Sequence, residues 1–109
     1  MDEHEFVSVA TGELRALVAA IDERVEGVFA ELSGDVLTLE FEDDTKYVVN
    51  SHSAARQIWL AAGRTAWHFN PEVEADSLRW HDSKTGAELW ATVAQQLSNK
   101  LGSDLGSLR

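Results

Sequence analysis

Residues 34–69 read GDVLTLEFEDDTKYVVNSHSAARQIWLAAGRTAWHF, and the fold turns on them. Leu37, Leu39 and Phe41 alternate with Thr38 and Glu40, the period-2 pattern of a half-buried strand. Asp43-Asp44 supplies a turn, and Tyr47-Val48-Val49 a second strand. Ser51-His52-Ser53 reads as a loop. Gln57 to Leu60 and Ala66 to Phe69 read as two further strands. Short strands separated by turn residues form an antiparallel meander, which leaves one sheet face in water. Successive side chains lie on opposite faces, so if Ile58 and Leu60 point inward, Trp59 points outward. The same count puts Asn50 and His68 on the water-facing side. An outward Trp is a candidate binding anchor.

Upstream, the spacing predicts a helix from about Glu3 to Glu26. Leu14, Val18, Ile21, Val25 and Val28 fall at alternating four- and three-residue steps, and Leu17 widens this apolar stripe. Gly12 weakens the middle by roughly 1 kcal/mol relative to Ala, and Thr11 is an alternative cap for a shorter helix. The last turns carry Asp22, Glu23 and Glu26. Carboxylates there oppose the helix dipole at about 0.3–1 kcal/mol each, and Asp22 and Glu26, four apart, repel one another. An arrangement that works against stability points toward function. The bland alternative is a solvated face.

Gly27 ends the helix. Val28 to Leu32 is a first strand at the sheet edge, and Ser33-Gly34-Asp35 turns into the next. Glu31 either guards that edge against stray pairing or extends the acidic cluster. Glu42, Asp43 and Asp44 form another acidic group, with more acids than the turn needs. Downstream, Asn70-Pro71 opens a polar loop, Glu72 to Ser77, before a last short strand at Leu78-Arg79-Trp80. Trp67, Phe69 and Trp80 are expected in the core. Thr85-Gly86-Ala87-Glu88 fits a capping box. A second helix follows to about Lys100, with Leu89, Val93, Leu97 and Leu101 as its stripe and Gly102 as its stop. The layout is helix, about six strands, helix. That predicts an α+β two-layer sandwich, with two helices packed on one face of an antiparallel sheet. A domain over residues 1–102 is expected, with a tail at 103–109.

A chain of 109 residues is one domain, long enough to bury roughly two-thirds of its unfolded surface. It has no cysteine, so thiolate sites and disulfides are excluded, and any metal must use carboxylate or imidazole ligands. No apolar run approaches the ~18 residues of a membrane helix, and MDEHEF is not a targeting segment. A soluble, cytoplasmic protein is the expectation. A net charge of −10 argues against nucleic acid and favours cations or a basic partner. Ser, His and carboxylates are present, but there is no nucleophile elbow or glycine-rich oxyanion segment. His4, His68 and His81 show no ligand spacing such as HExxH. No enzyme is expected.

The segments SGDVLTLEF, YVVN, SAARQIWLAA, WHF and LRW, followed by TGAELW on a helix, resemble the frataxin family, and its bacterial members most. The resemblance covers nearly the whole chain. It implies a role in iron–sulfur cluster assembly, with weakly held iron and docking to the cysteine desulfurase and its scaffold protein. The family's iron surface is an acidic ridge on the first helix and the adjoining edge strand. The matching positions here are Asp22, Glu23 and Glu26, with Glu31 and Asp35 nearby. Exposed carboxylates are hard donors for Fe²⁺ or Fe³⁺, and equally for other divalent cations. The family's exposed sheet residues, which contact the partners, match Asn50, Gln57, Trp59 and His68. Many bacterial relatives carry a longer, Asp-rich link between helix and strand. The short Glu26-Gly27-Val28-Phe29 link thins the ridge and speaks against tight or multiple iron binding. A monomer is expected. The alternative is a generic acidic interaction domain with no metal role.

Overall fold

The computed structural model describes Met1–Arg109. Strands β1 (Val28–Ser33), β2 (Val36–Phe41), β3 (Lys46–His52), β4 (Gln57–Ala62), β5 (Thr65–Glu74) and β6 (Ser77–Asp82) lie between helices α1 (Glu3–Arg24) and α2 (Leu89–Leu101). The strands pair antiparallel in sequence order, so the sheet is the meander that the turn spacing predicts. Two-residue connections close three of the hairpins, and Gly34 and Gly63, at φ +60 and +61, supply the positive φ that two of them need.

Alternation sorts the side chains. Leu37, Leu39, Phe41, Val49, Ile58, Leu60, Phe69 and Trp80 are buried on one sheet face. Both helices cover that face. Phe6, Ala10, Leu14, Leu17 and Ile21 of α1 and Leu89, Trp90, Val93, Ala94 and Leu97 of α2 join a single core of 20 residues. Trp80 is fully buried and meets Phe6 edge to face, 5.9 Å between centroids, which ties β6 to the start of α1. Trp67 is half-buried at the margin of this core, on the expected face.

Several local expectations are corrected. Helix α1 stops at Arg24, not Glu26. Val25 caps it, donating its N–H to the Ile21 carbonyl at 2.9 Å, and Gly27 at φ +87 then turns the chain. A Cβ at Gly27 would stand 3.1 Å from Leu101 Cδ2, so α1 and α2 converge there. The start at Glu3 is as expected: Asp2 is the N-cap, accepting the Glu5 N–H at 2.8 Å, and the helix runs through Thr11 and Gly12, so the alternative cap at Thr11 is not used. Burial of Phe6 and Ala10 on the same stripe outweighs the glycine penalty.

Ser51 and His52 are not a loop but the last pairs of β3, opposite Ile58 and Gln57. Nor is Glu72 to Ser77 a loop. Strand β5 continues through Asn70 and Pro71 to Glu74, and the β5–β6 hairpin turns at Ala75-Asp76. Pro71 is tolerated because β4 no longer runs beside it: pairing between β4 and β5 ends at Phe69. This two-stranded ribbon outruns the helices. Val73, on the core side, is 77 % exposed, so the apolar alternation that marks a strand is lost. The capping box also fails. Gly86 at φ +75 is not helical, and the Glu88 carboxylate caps α2 by accepting the Trp90 and Ala91 N–H groups.

Gly102 ends α2 in the left-handed region. The residues beyond it pack on the domain. Leu108 is buried, and the Arg109 guanidinium lies 4.5 Å over the Trp90 ring while pairing with Glu13 at 3.0 Å.

Asp82 is the one buried carboxylate. Its two oxygens accept four hydrogen bonds: from the His68 N–H (2.9 Å), the Lys84 N–H (3.1 Å), the Thr85 N–H (2.9 Å) and the Thr85 hydroxyl (2.9 Å). Burial pushes this carboxyl up, but the donors outweigh it and hold it below the usual carboxylate range. A group depressed in the folded state stabilises above its unfolded value, about 3.9, and loses that contribution as pH falls through its folded value. An asparagine in its place would keep the shape and lose one acceptor oxygen. Asp82→Asn is expected to lower the unfolding free energy by about 2–3 kcal/mol at pH 7, with the difference from the parent shrinking below about pH 4, as read by urea unfolding across pH.

Candidate metal ridge and docking face

Two surfaces emerge. The first lies where α1 ends. Asp22, Glu23 and Glu26, all exposed, border a shallow depression of about 700 Å³ together with Glu42 of the β2–β3 turn. None of the three takes part in an ion pair within the chain. Their carboxylates do not converge on a point: no three of them bring ligand atoms within 4.8 Å of one another. Asp43, in the same acidic run as Glu42, is committed elsewhere. The Lys100 ammonium donates to it at 2.7 Å, and the Thr45 hydroxyl and N–H donate at 2.6 and 3.0 Å, which holds its carboxyl well below the usual range.

Glu31 and Asp35 stand apart from this group. Glu31 is exposed on the outer face of edge strand β1, opposite Thr38. Asp35 lies in the β1–β2 turn, at the far end of β1 from Glu26, roughly 20 Å away at about 3.4 Å per residue. The short link after Glu26 brings α1 and β1 together without lengthening the acidic row.

The second surface is the outer sheet face. Asn50, Trp59 and His68 sit side by side on β3, β4 and β5, in direct register. The Trp59 indole is not free. It stacks between two imidazoles, His52 at 4.2 Å and His68 at 4.4 Å, with interplanar angles of 11° and 19°. Its Nε1–H donates to the Gln57 side-chain oxygen at 2.8 Å, and the Gln57 amide donates to Asn70 at 3.1 Å. The four residues read from the sequence thus share one patch, and His52 and Asn70 join it. Alternation on from Asn50 would have found His52, had the strand been carried two residues further.

The chain matches a family model described as a frataxin-like domain over residues 1–103. It belongs to the frataxin family. Its relatives include the iron–sulfur cluster assembly protein CyaY of Cupriavidus taiwanensis, 32 % identical over 109 residues that cover 96 % of this chain and 95 % of the relative. The protein of the same name from Vibrio cholerae is 36 % identical over 96 residues, 88 % of each chain. Among solved structures, the frataxin from Psychromonas ingrahamii superposes with a TM-score of 0.86 over 100 % of this chain and 99 % of its own, at 24 % identity. The frataxin fold, two helices on a six-stranded antiparallel sheet, is therefore this chain's fold. No helix in it is long and apolar enough to cross a membrane.

Trp59 and Trp80 should separate cleanly by stability. Removing the outer indole forfeits two stacking contacts of about 0.5–1.5 kcal/mol each, whereas emptying the core position costs about 3–5 kcal/mol. Trp59→Ala is expected to unfold at moderately lower urea than the parent, with the fold retained, and Trp80→Ala earlier still.

Proposed function

We propose that this chain is a cytoplasmic, monomeric, non-enzymatic adaptor of iron–sulfur cluster assembly. It holds Fe²⁺ or Fe³⁺ weakly, as cargo, on Asp22, Glu23 and Glu26, with Glu31 and Asp35 as separate, secondary carboxylates farther along β1, and docks to the cysteine desulfurase and its scaffold protein. The observation that carries this reading is the fixed Trp59 platform on an open sheet face, in a chain whose relatives are named for cluster assembly. A pinned indole flanked by imidazoles loses little entropy on binding, as a preorganised interface anchor does. Asn50, Gln57 and His68 surround it with polar groups that can pair with a partner. The dispersed ridge suits transient holding: carboxylates that do not converge make open, poorly selective sites that release their ion.

The net charge of −10 would speed encounter with a basic partner surface. Trp59→Ala is expected to weaken binding to the desulfurase by about 30-fold, the scale of a 2 kcal/mol anchor, with the fold retained. Unchanged affinity in a surface plasmon resonance assay would overturn the docking role. Changing Asp22, Glu23 and Glu26 to Lys should abolish Fe²⁺-induced NMR broadening around residues 20–35 and flatten the salt dependence of docking. If the parent shows no broadening there, the generic acidic interaction domain is the better reading.

A further inference from the structure

On the outer face of the β5–β6 ribbon, Glu72 and Glu74 of β5 and His81 of β6 bring their ligand atoms within 4.8 Å of one another. Glu72 Oε2 is 2.8 Å and Glu74 Oε1 3.5 Å from His81 Nδ1. No other three His, Asp or Glu side chains converge so closely. The trio borders a depression of about 420 Å³ whose walls include Asn70, Ser83 and Gly86 and no apolar residue.

Three features set this apart from an ordinary surface ion pair. His81 Nδ1 is closed to solvent, and what it faces is carboxylate, Glu72 at 2.8 Å and Glu74 at 3.5 Å, with neither contact meeting hydrogen-bond geometry. An imidazole nitrogen and two carboxylates are all cation-ligand types, and one ion seated among them would engage all three. Glu72 also stands directly opposite Arg79 in the strand register but makes no ion pair with it. Finally, two carboxylates face one nitrogen, which can share at most one proton with them, so one negative charge stays uncompensated. The spacing fits as well. Two ligands bound to one ion at about 2.1 Å stand roughly 3–3.5 Å apart, and the two N···O separations fall close to that range.

We propose that Glu72, Glu74 and His81 form a site for a first-row divalent cation such as Zn²⁺, Co²⁺ or Fe²⁺. One imidazole with two carboxylates is a borderline donor set, and three protein ligands leave positions open for water or an incoming group. The all-carboxylate ridge has no such imidazole. The two lie toward opposite edges of the sheet. With β1 at one edge and β5–β6 at the other, about four strand spacings, roughly 19 Å, separate them. The trio shares the outer face with Trp59, and its Glu72 is four residues along β5 from His68.

The site rests on its own three residues and not on iron at the ridge, so its test begins with the ridge neutralised by Asp22→Asn, Glu23→Gln and Glu26→Gln. Titrating that protein with Co²⁺ alone is expected to shift or broaden amide resonances of residues 70–74 and 79–83 and the His81 ring. Calorimetry with Zn²⁺ should find one site. His81→Gln and Glu72→Gln, both on the outer face, should each weaken it at least about tenfold while far-UV circular dichroism is unchanged. Absence of perturbation at these strands, or equal Zn²⁺ affinity in both variants, would overturn the proposal and leave the trio an ion pair only.

Discussion

One-sided burial of the sheet is the constraint on which the rest depends. A six-stranded meander has two faces, and only two helices are available to cover them. Both lie on the same face, held there by a core that runs from Phe6 at one helix start to Leu97 in the other. The opposite face must then be compatible with water along every strand. That condition puts the Trp59 indole outside while Ile58 and Leu60 are buried. It also places the paired imidazoles of His52 and His68 where they can grip that indole.

The carboxylates divide by what neutralises them. Asp82 is wrapped in amide and hydroxyl donors, Asp43 is held by Lys100, and Glu13 takes both the Trp90 indole and the Arg109 guanidinium. These acids maintain the fold: each joins segments that are separate in sequence or fixes a turn. Asp22, Glu23 and Glu26 have no such partner, and they crowd the C-terminal end of α1, where the helix dipole opposes them. Arg24 in the same turn offsets part of that cost without forming an ion pair, and the remaining cost distinguishes them from the structural acids.

Much of the architecture was legible from residue order. Leu37, Leu39 and Phe41 fix the face of β2, and each turn signal fixes the sign of the next strand. The errors occur where tertiary context changes what a residue needs. Helix α1 stops at Arg24 instead of Glu26, because Val25 caps it onto Ile21 and Gly27 turns the chain. Thr85 is drawn to the Asp82 carboxylate, which leaves Glu88 to cap α2. Strand β5 past Phe69 lacks the apolar alternation of the others, because β6 supplies the apolar side chains there, Trp80 opposite Pro71 and Leu78 opposite Val73.

By itself, the sequence determined the meander, the helix stripes, the outward Trp59 and the surplus of acid. These follow from periods of 2 and 3.6 and from composition, which are local properties. Only the tertiary structure decided which acids stand together. Asp35 is carried to the far end of β1, away from Glu26, while Glu42 is brought to the ridge. His81 meets Glu72 and Glu74 through the register of a hairpin that its sequence hides. The physical reason is that side-chain convergence depends on pairing across strands, and pairing register is set by where each turn closes, not by the residues that come to face one another.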